Sequence, residues 1–110
     1  MIQHSVNNLS SPEMLQQPDG SKLAFHRTQG RYPGVIFLTG FKSDMNGSKA
    51  TALEDICREN KRAYVRFDFF GHGQSDGNFV EGTIGRWLAD TLDVLDKLSE
   101  GPQILVGSSM

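Results

Sequence analysis

Short apolar runs alternate along the chain with polar turns and with stretches of helical spacing. Residues 13–17 predict a short strand, closed by the turn signal Pro18-Asp19-Gly20. In 21–28 the apolar residues Leu23 and Phe25 alternate with polar ones, so a second strand follows and the pair reads as a hairpin. Residues 34–39 (GVIFLT) form an unbroken β-branched and aromatic run, the pattern of a strand buried on both faces. Asn46-Gly47-Ser48 marks a turn and helix start, and Thr51 with Glu54 has the spacing of a capping box. Leu53, Ile56 and Cys57 then recur at helical spacing as far as Asn60. Residues 63–69 (AYVRFDF) read as the next strand, and 71–78 as a Gly-rich loop. A long helix is predicted over 83–99. Ile84, Trp87, Leu88, Leu92, Leu95 and Leu98 would form its apolar stripe, with Asp90, Asp93 and Asp96 on a solvated face. Gly101-Pro102 stops it, and 104–106 opens a last apolar strand.

The resulting string, β-β-β-α-β-α-β, predicts an α/β layer fold with a mostly parallel sheet. Residues 1–12 are polar and read as a flexible arm, leaving 13–110 as one domain or part of one. The last strand has an interior composition but no following neighbour. As an edge it would expose unpaired N–H and C=O groups on apolar residues. The expectation is therefore that the 110 residues are the N-terminal part of a larger domain.

Composition narrows the function classes. The apolar class is 37% and there are 12 glycines, which is ordinary globular usage. A net charge of −2 gives no basic patch for nucleic acid or anionic lipid. The single cysteine, Cys57, cannot pair internally. No apolar run approaches the roughly 18 residues of a membrane span. The first residues, MIQHSVNNLSSPEML, lack the basic and apolar regions of a signal peptide and the arginines of a transit peptide. A reducing cytoplasm is the expected compartment, with the mitochondrion as the alternative if the source is eukaryotic.

Three segments carry candidate chemistry. Gly107-Ser108-Ser109-Met110 supplies four of the five positions of a G-x-S-x-G nucleophile elbow at the end of a strand. Alone it is also compatible with a plain Gly/Ser turn. Gly40-Phe41 follows a buried strand directly. An acyl-transfer enzyme needs two backbone N–H groups aimed where a carbonyl oxygen becomes an anion. Met110, the residue after the serine, and Phe41 are the candidates, and Gly40 would let the backbone approach substrate without a Cβ. The third segment, Asp68-Phe69-Phe70-Gly71-His72-Gly73-Gln74-Ser75, fits D-x-x-G-x-G-x-S. Its glycines permit positive φ, while Asp68 and Ser75 can cap loop amides. The rival dinucleotide pattern G-x-G-x-x-G fails at Asp76, and the following helix starts too far away to hold a pyrophosphate.

In this order the three motifs resemble the first half of an α/β-hydrolase. TGFKSDMNGSKA, RFDFFGHGQSDG and GPQILVGSSM are similar to the subgroup around the mitochondrial palmitoyl-protein thioesterase and acyl-glucuronide esterase, with its bacterial members. The resemblance runs from about Gly34 to Met110. It implies an α/β-hydrolase domain interrupted at the nucleophile elbow, with Ser109 as nucleophile and the Phe41 and Met110 amides as oxyanion hole. The substrate would be a small-molecule ester or thioester, and no metal or organic cofactor is needed. Many members have His before the glycine where this chain has Thr39; the amide is unaffected. In this family the acid and the histidine follow the serine, beyond Met110, so the 110 residues alone are expected to be inactive. Two other classes stand beside this one: a half-fold that binds or assembles through its open strand, and a nucleotide-binding α/β module.

The remaining residues have plainer readings. His4, His26 and His72 do not match the family's base, and His72 reads as a loop surface residue. Cys57 reads as a small core residue and Trp87 as core packing. Arg62 and Arg66 need no partner, and the helix aspartates lack the His or Cys of a metal site.

Overall fold

The computed structural model describes residues 11–107. Within them the chain runs β1 (Glu13–Gln16), β2 (Lys22–Thr28), β3 (Arg31–Leu38), α1 (Ser48–Glu59), β4 (Arg62–Phe67), a single 3-10 turn (Phe79–Glu81), α2 (Ile84–Leu98) and β5 (Gln103–Gly107). The predicted string is reproduced. The arm expected at 1–12 lies almost wholly outside the described residues, as do Ser108, Ser109 and Met110.

The five strands form one sheet in the order β1-β2-β4-β3-β5. The hairpin β1–β2 is antiparallel, and β2 also pairs antiparallel with β4. The parallel character expected of the sheet belongs to β4-β3-β5. The path β3–α1–β4 steps one way along the sheet. The path β4–α2–β5 steps back past β3. With crossovers of one hand, that reversal places the two helices on opposite faces.

Side-chain alternation builds the two cores. Ile36, Val65 and Phe67 point to the face that carries Trp87, Val94 and Leu98 of α2, together with Leu23, Phe25 and Phe69. Val35, Phe37 and Tyr64 point the other way, against Ala50 and Cys57 of α1. Cys57 is buried there, and burial pushes its thiol pKa up. Tyr64 Oη donates to Ala50 O at 2.8 Å, tying α1 to the sheet.

Three sequence expectations need correction. The capping box does not form: Gly47 is the N-cap of α1 and makes no side-chain cap bond. Thr51 lies inside the first turn, and its hydroxyl donates back to Gly47 O at 3.1 Å. Glu54 is drawn instead to Arg66, because a buried guanidinium attracts a carboxylate more strongly than an exposed amide does. In α2 the buried residues are Trp87, Asp90, Val94 and Leu98. Ile84, Leu88 and Leu92 are 70%, 58% and 55% exposed, so the expected stripe is split and half of it faces away from the sheet. Asp90, assigned to the solvated face, is fully buried. Thr83 caps this helix, accepting from Arg86 N at 3.0 Å. β5 is an edge among the described strands, with Ile104 and Leu105 about half exposed on its two faces (48% and 49%).

Candidate active site

The carboxyl ends of β3, β4 and β5 converge at one edge of the sheet, where parallel α/β folds place their ligands. Leu38 pairs with Gly107. The loop beginning at Thr39 therefore leaves the sheet level with the end of β5, which continues in sequence into Ser108-Ser109-Met110. These three residues lie outside the described ones, so no geometry is given for Ser109 or for the Met110 amide. A Cβ at Gly107 would meet nothing within 4 Å among the described residues.

The loop after β3 is held by buried polar groups. Ser43 N donates to Gly40 O at 3.0 Å, closing a turn around Phe41 and Lys42. Phe41 N–H has no acceptor among the described residues. The Phe41 ring stands edge-on to Phe79 (5.0 Å between centroids) and to Trp87 (6.0 Å). Lys42 has φ +60°, a left-handed conformation that is disfavoured for a residue with a Cβ by about 1–2 kcal/mol. At Met45 both backbone groups are gripped. Its N–H donates to Asp68 Oδ1 at 2.7 Å, and its carbonyl accepts from Arg66 Nη1 at 3.0 Å. Arg66, which the sequence reading left without a partner, is buried and also donates to Asn46 Oδ1 and to both oxygens of Glu54.

The loop after β4 is bound in the same way. Asp68 is fully buried, and its second oxygen accepts from Gln74 N at 2.9 Å. Burial pushes this carboxyl pKa up, while the amides of Gln74 and Met45 pull it down. Ser75 Oγ donates to Asp68 O and accepts from Ala24 N, lacing the loop to β2. Asp68 thus caps loop amides as expected, whereas Ser75 takes a strand amide, Ala24 N, instead of a loop one. Gly71 and Gly73 have φ of +77° and +48°. A Cβ on Gly73 would overlap the Asp68 carboxylate, so glycine is required there for space as well as for φ. Several of the loop's N–H groups donate to its own carbonyls, among them Gly71 to Asp76 and Ser75 to His72. Those donors are not free to cradle a phosphate.

Two contributions were not foreseen from sequence. Asp90 reaches from α2 to Phe70 N (2.8 Å) and also accepts from Gln17 and Arg86. Trp87 Nε1 donates to Phe70 O, so α2 holds both sides of that residue. The signal was the 3-4-4 spacing of positions 87, 90, 94 and 98, which places Asp90 on the buried stripe. The second is His72, which is buried rather than on the loop surface. It lines a cavity of about 300 Å³ with Lys42, Asp44 and Phe79, beside the Phe41 loop.

The arrangement brings Gly40, Phe41, Asp68, Gly71, Gly73 and Ser75 to one end of the sheet, at the level where β5 ends in Gly107. No helix of the described residues is long and apolar enough to cross a membrane.

Comparison with known proteins supports the architecture. No family model matches the chain. Bovine mitochondrial palmitoyl-protein thioesterase ABHD10 is 50% identical over 101 residues, covering 92% of this chain and 33% of that protein. The structure of mouse alpha/beta hydrolase domain-containing protein 10 matches with a TM-score of 0.87 at 48% identity, over 91% of this chain and 40% of that one. Est1E from Butyrivibrio proteoclasticus, solved with ferulic acid bound, matches with a TM-score of 0.78 at 27% identity, over 88% of this chain and 43% of that one. The chain spans about a third of the length of the curated relatives it matches. Its fold is the N-terminal part of an α/β-hydrolase domain, similar to the corresponding part of the mitochondrial palmitoyl-protein thioesterases.

Proposed function

We propose that the protein carrying this chain is a serine hydrolase that cleaves carboxylic esters or thioesters. The observation that carries this reading is the pairing of Leu38 with Gly107. It sets the Gly40-Phe41 loop beside the strand that leads into Ser109, and the bovine relative named above is a palmitoyl-protein thioesterase.

Ser109 Oγ attacks the acyl carbonyl carbon, and its proton passes to a histidine encoded beyond residue 110, which a carboxylate orients. The N–H groups of Phe41 and Met110 receive the oxyanion. By analogy with other such donors each contributes about 3–4 kcal/mol in the transition state. The leaving alcohol or thiol departs with the proton, and water releases the acyl group from serine. Gly40 keeps the approach to the Phe41 amide open, while Asp68, Gly71, Gly73 and Ser75 shape the supporting loop. No step uses a metal or organic cofactor. The relatives' names favour the mitochondrial alternative over the cytoplasm as the compartment.

The test is acylation of Ser109. A fluorophosphonate probe and an activated ester are offered to the protein containing this chain within a complete domain. Labelling and turnover are expected to vanish in Ser109→Ala. Turnover that survives this change rejects the reading. The 110 residues alone are expected to give no acylation burst. A second reading rests on the half-open β5 edge: association with another chain through that strand. Size-exclusion chromatography separates the two, because assembly through β5 predicts a concentration-dependent shift in elution.

A further inference from the structure

His72 is a buried titratable group that no step of the proposed chemistry uses. Its two ring nitrogens have unlike partners. Nδ1 lies 3.1 Å from Phe70 O, which can only accept, so Nδ1 carries a proton. Nε2 lies 3.2 Å from Lys42 N, which can only donate, so Nε2 is bare. Together the contacts admit the neutral Nδ1–H tautomer alone. The ring is fixed by edge contacts with Phe79 and Trp87, each 5.2 Å between centroids, and with Phe69 at 6.1 Å.

The Lys42 N–H shares a peptide plane with the Phe41 carbonyl. Holding that N–H therefore holds the plane that follows Phe41. The Phe41 side chain rests on Phe79 and Trp87, two of the rings that fix His72. Phe41 is thus clamped at its side chain and at its following peptide, and only its own N–H is left to direct outward. Lys42 sits at φ +60°, so the bond it donates to His72 also offsets an unfavourable backbone conformation.

We propose that His72 is a positioning residue that, as the neutral Nδ1–H tautomer, sets the direction of the Phe41 amide through Lys42. The proposal rests on the reading of Phe41 as an oxyanion donor. A second proton on His72 would oppose N–H to N–H at Lys42 and release the loop. The charged groups around the ring are the Asp68 carboxylate at the end of β4 and the Lys42 ammonium. Asp44 lines the same cavity.

The experiment uses the protein that contains this chain within a complete domain, with p-nitrophenyl butyrate as substrate. His72→Leu is expected to lower kcat about 10- to 100-fold while KM moves by less than about threefold. His72→Gln can present Oε1 to Lys42 N–H and is expected to recover most of kcat. Equal loss in both variants, or no loss in either, overturns the proposal. If His72→Leu does not fold, nitrogen-15 NMR of the His72 ring decides without a variant: a protonated Nε2 at neutral pH overturns it, and a bare Nε2 coupled to the Lys42 amide proton supports it. Turnover that survives Ser109→Ala would instead reject the serine-hydrolase reading, separately from these outcomes.

Discussion

Two regions of this chain are finished to different degrees. At the carboxyl ends of β3 and β4 the loops are held from within the chain by Arg66, Asp68, His72 and Asp90, all buried and all bonded to backbone. At the β5 edge and the outer strip of α2, by contrast, Ile104 and Leu105 are about half exposed and Ile84, Leu88 and Leu92 more than half. These four buried side chains are all hydrogen-bonded within the described residues, and the apolar surface beside them is not covered by those residues. The loops at the candidate site are thus held by hydrogen bonds that do not depend on the exposed apolar surface beside them.

The strongest way to break that contrast is to remove a buried charge from the finished side. Arg66→Met leaves Glu54 without its partner and Met45 O without its donor. In the protein that carries this chain, it is expected to lower stability by about 3–5 kcal/mol in denaturant unfolding. Gly73→Ala forces a Cβ into the Asp68 carboxylate at positive φ, and a loss of about 2–3 kcal/mol is expected in the same assay. On the unfinished side, Leu92→Ser is expected to lose about 1–3 kcal/mol in the longer protein. A loss under about 0.5 kcal/mol would mean that the outer strip of α2 stays in water. Cys57 is buried with a raised pKa, so alkylation by iodoacetamide should be slow in the folded state and fast after unfolding.

The smallest effect concerns pH. Partial burial, then the charge of Arg66, holds His26 below its ordinary value of 6.5. The folded state therefore binds this proton less tightly than the unfolded chain. The associated stability is present above 6.5 and falls away as pH drops through that value toward the folded pKa. His26→Gln should flatten the drop in melting temperature between neutral and mildly acidic solution.

The order of strands and helices was readable because each apolar run has a distinct period and each turn carries Gly, Pro or Asp. The burial of Cys57 and Trp87 followed from helical spacing alone. The face of α2 did not, because an average over apolar residues gives Leu88 and Leu92 the same weight as Val94 and Leu98. Only contacts across the fold separate them. Asp90 is buried because Gln17 and Phe70, distant in sequence, join Arg86, one turn earlier on the same helix, in supplying its hydrogen bonds. His72 and Arg66 were missed for the same reason: a polar residue at a strand end reads as solvated until the loop that folds over it is known. Ser109 and Met110 were legible as a motif, and the described residues stop just short of them.

The matched ends of β3 and β5 have one more consequence. Parallel strands advance about 3.3 Å per residue, and a slip that keeps the same side chains facing the core moves two residues, roughly 7 Å. Such a slip would leave much of the hydrophobic burial intact and still separate the two segments that leave Leu38 and Gly107. Activity would then report on a pairing error that bulk stability scarcely registers.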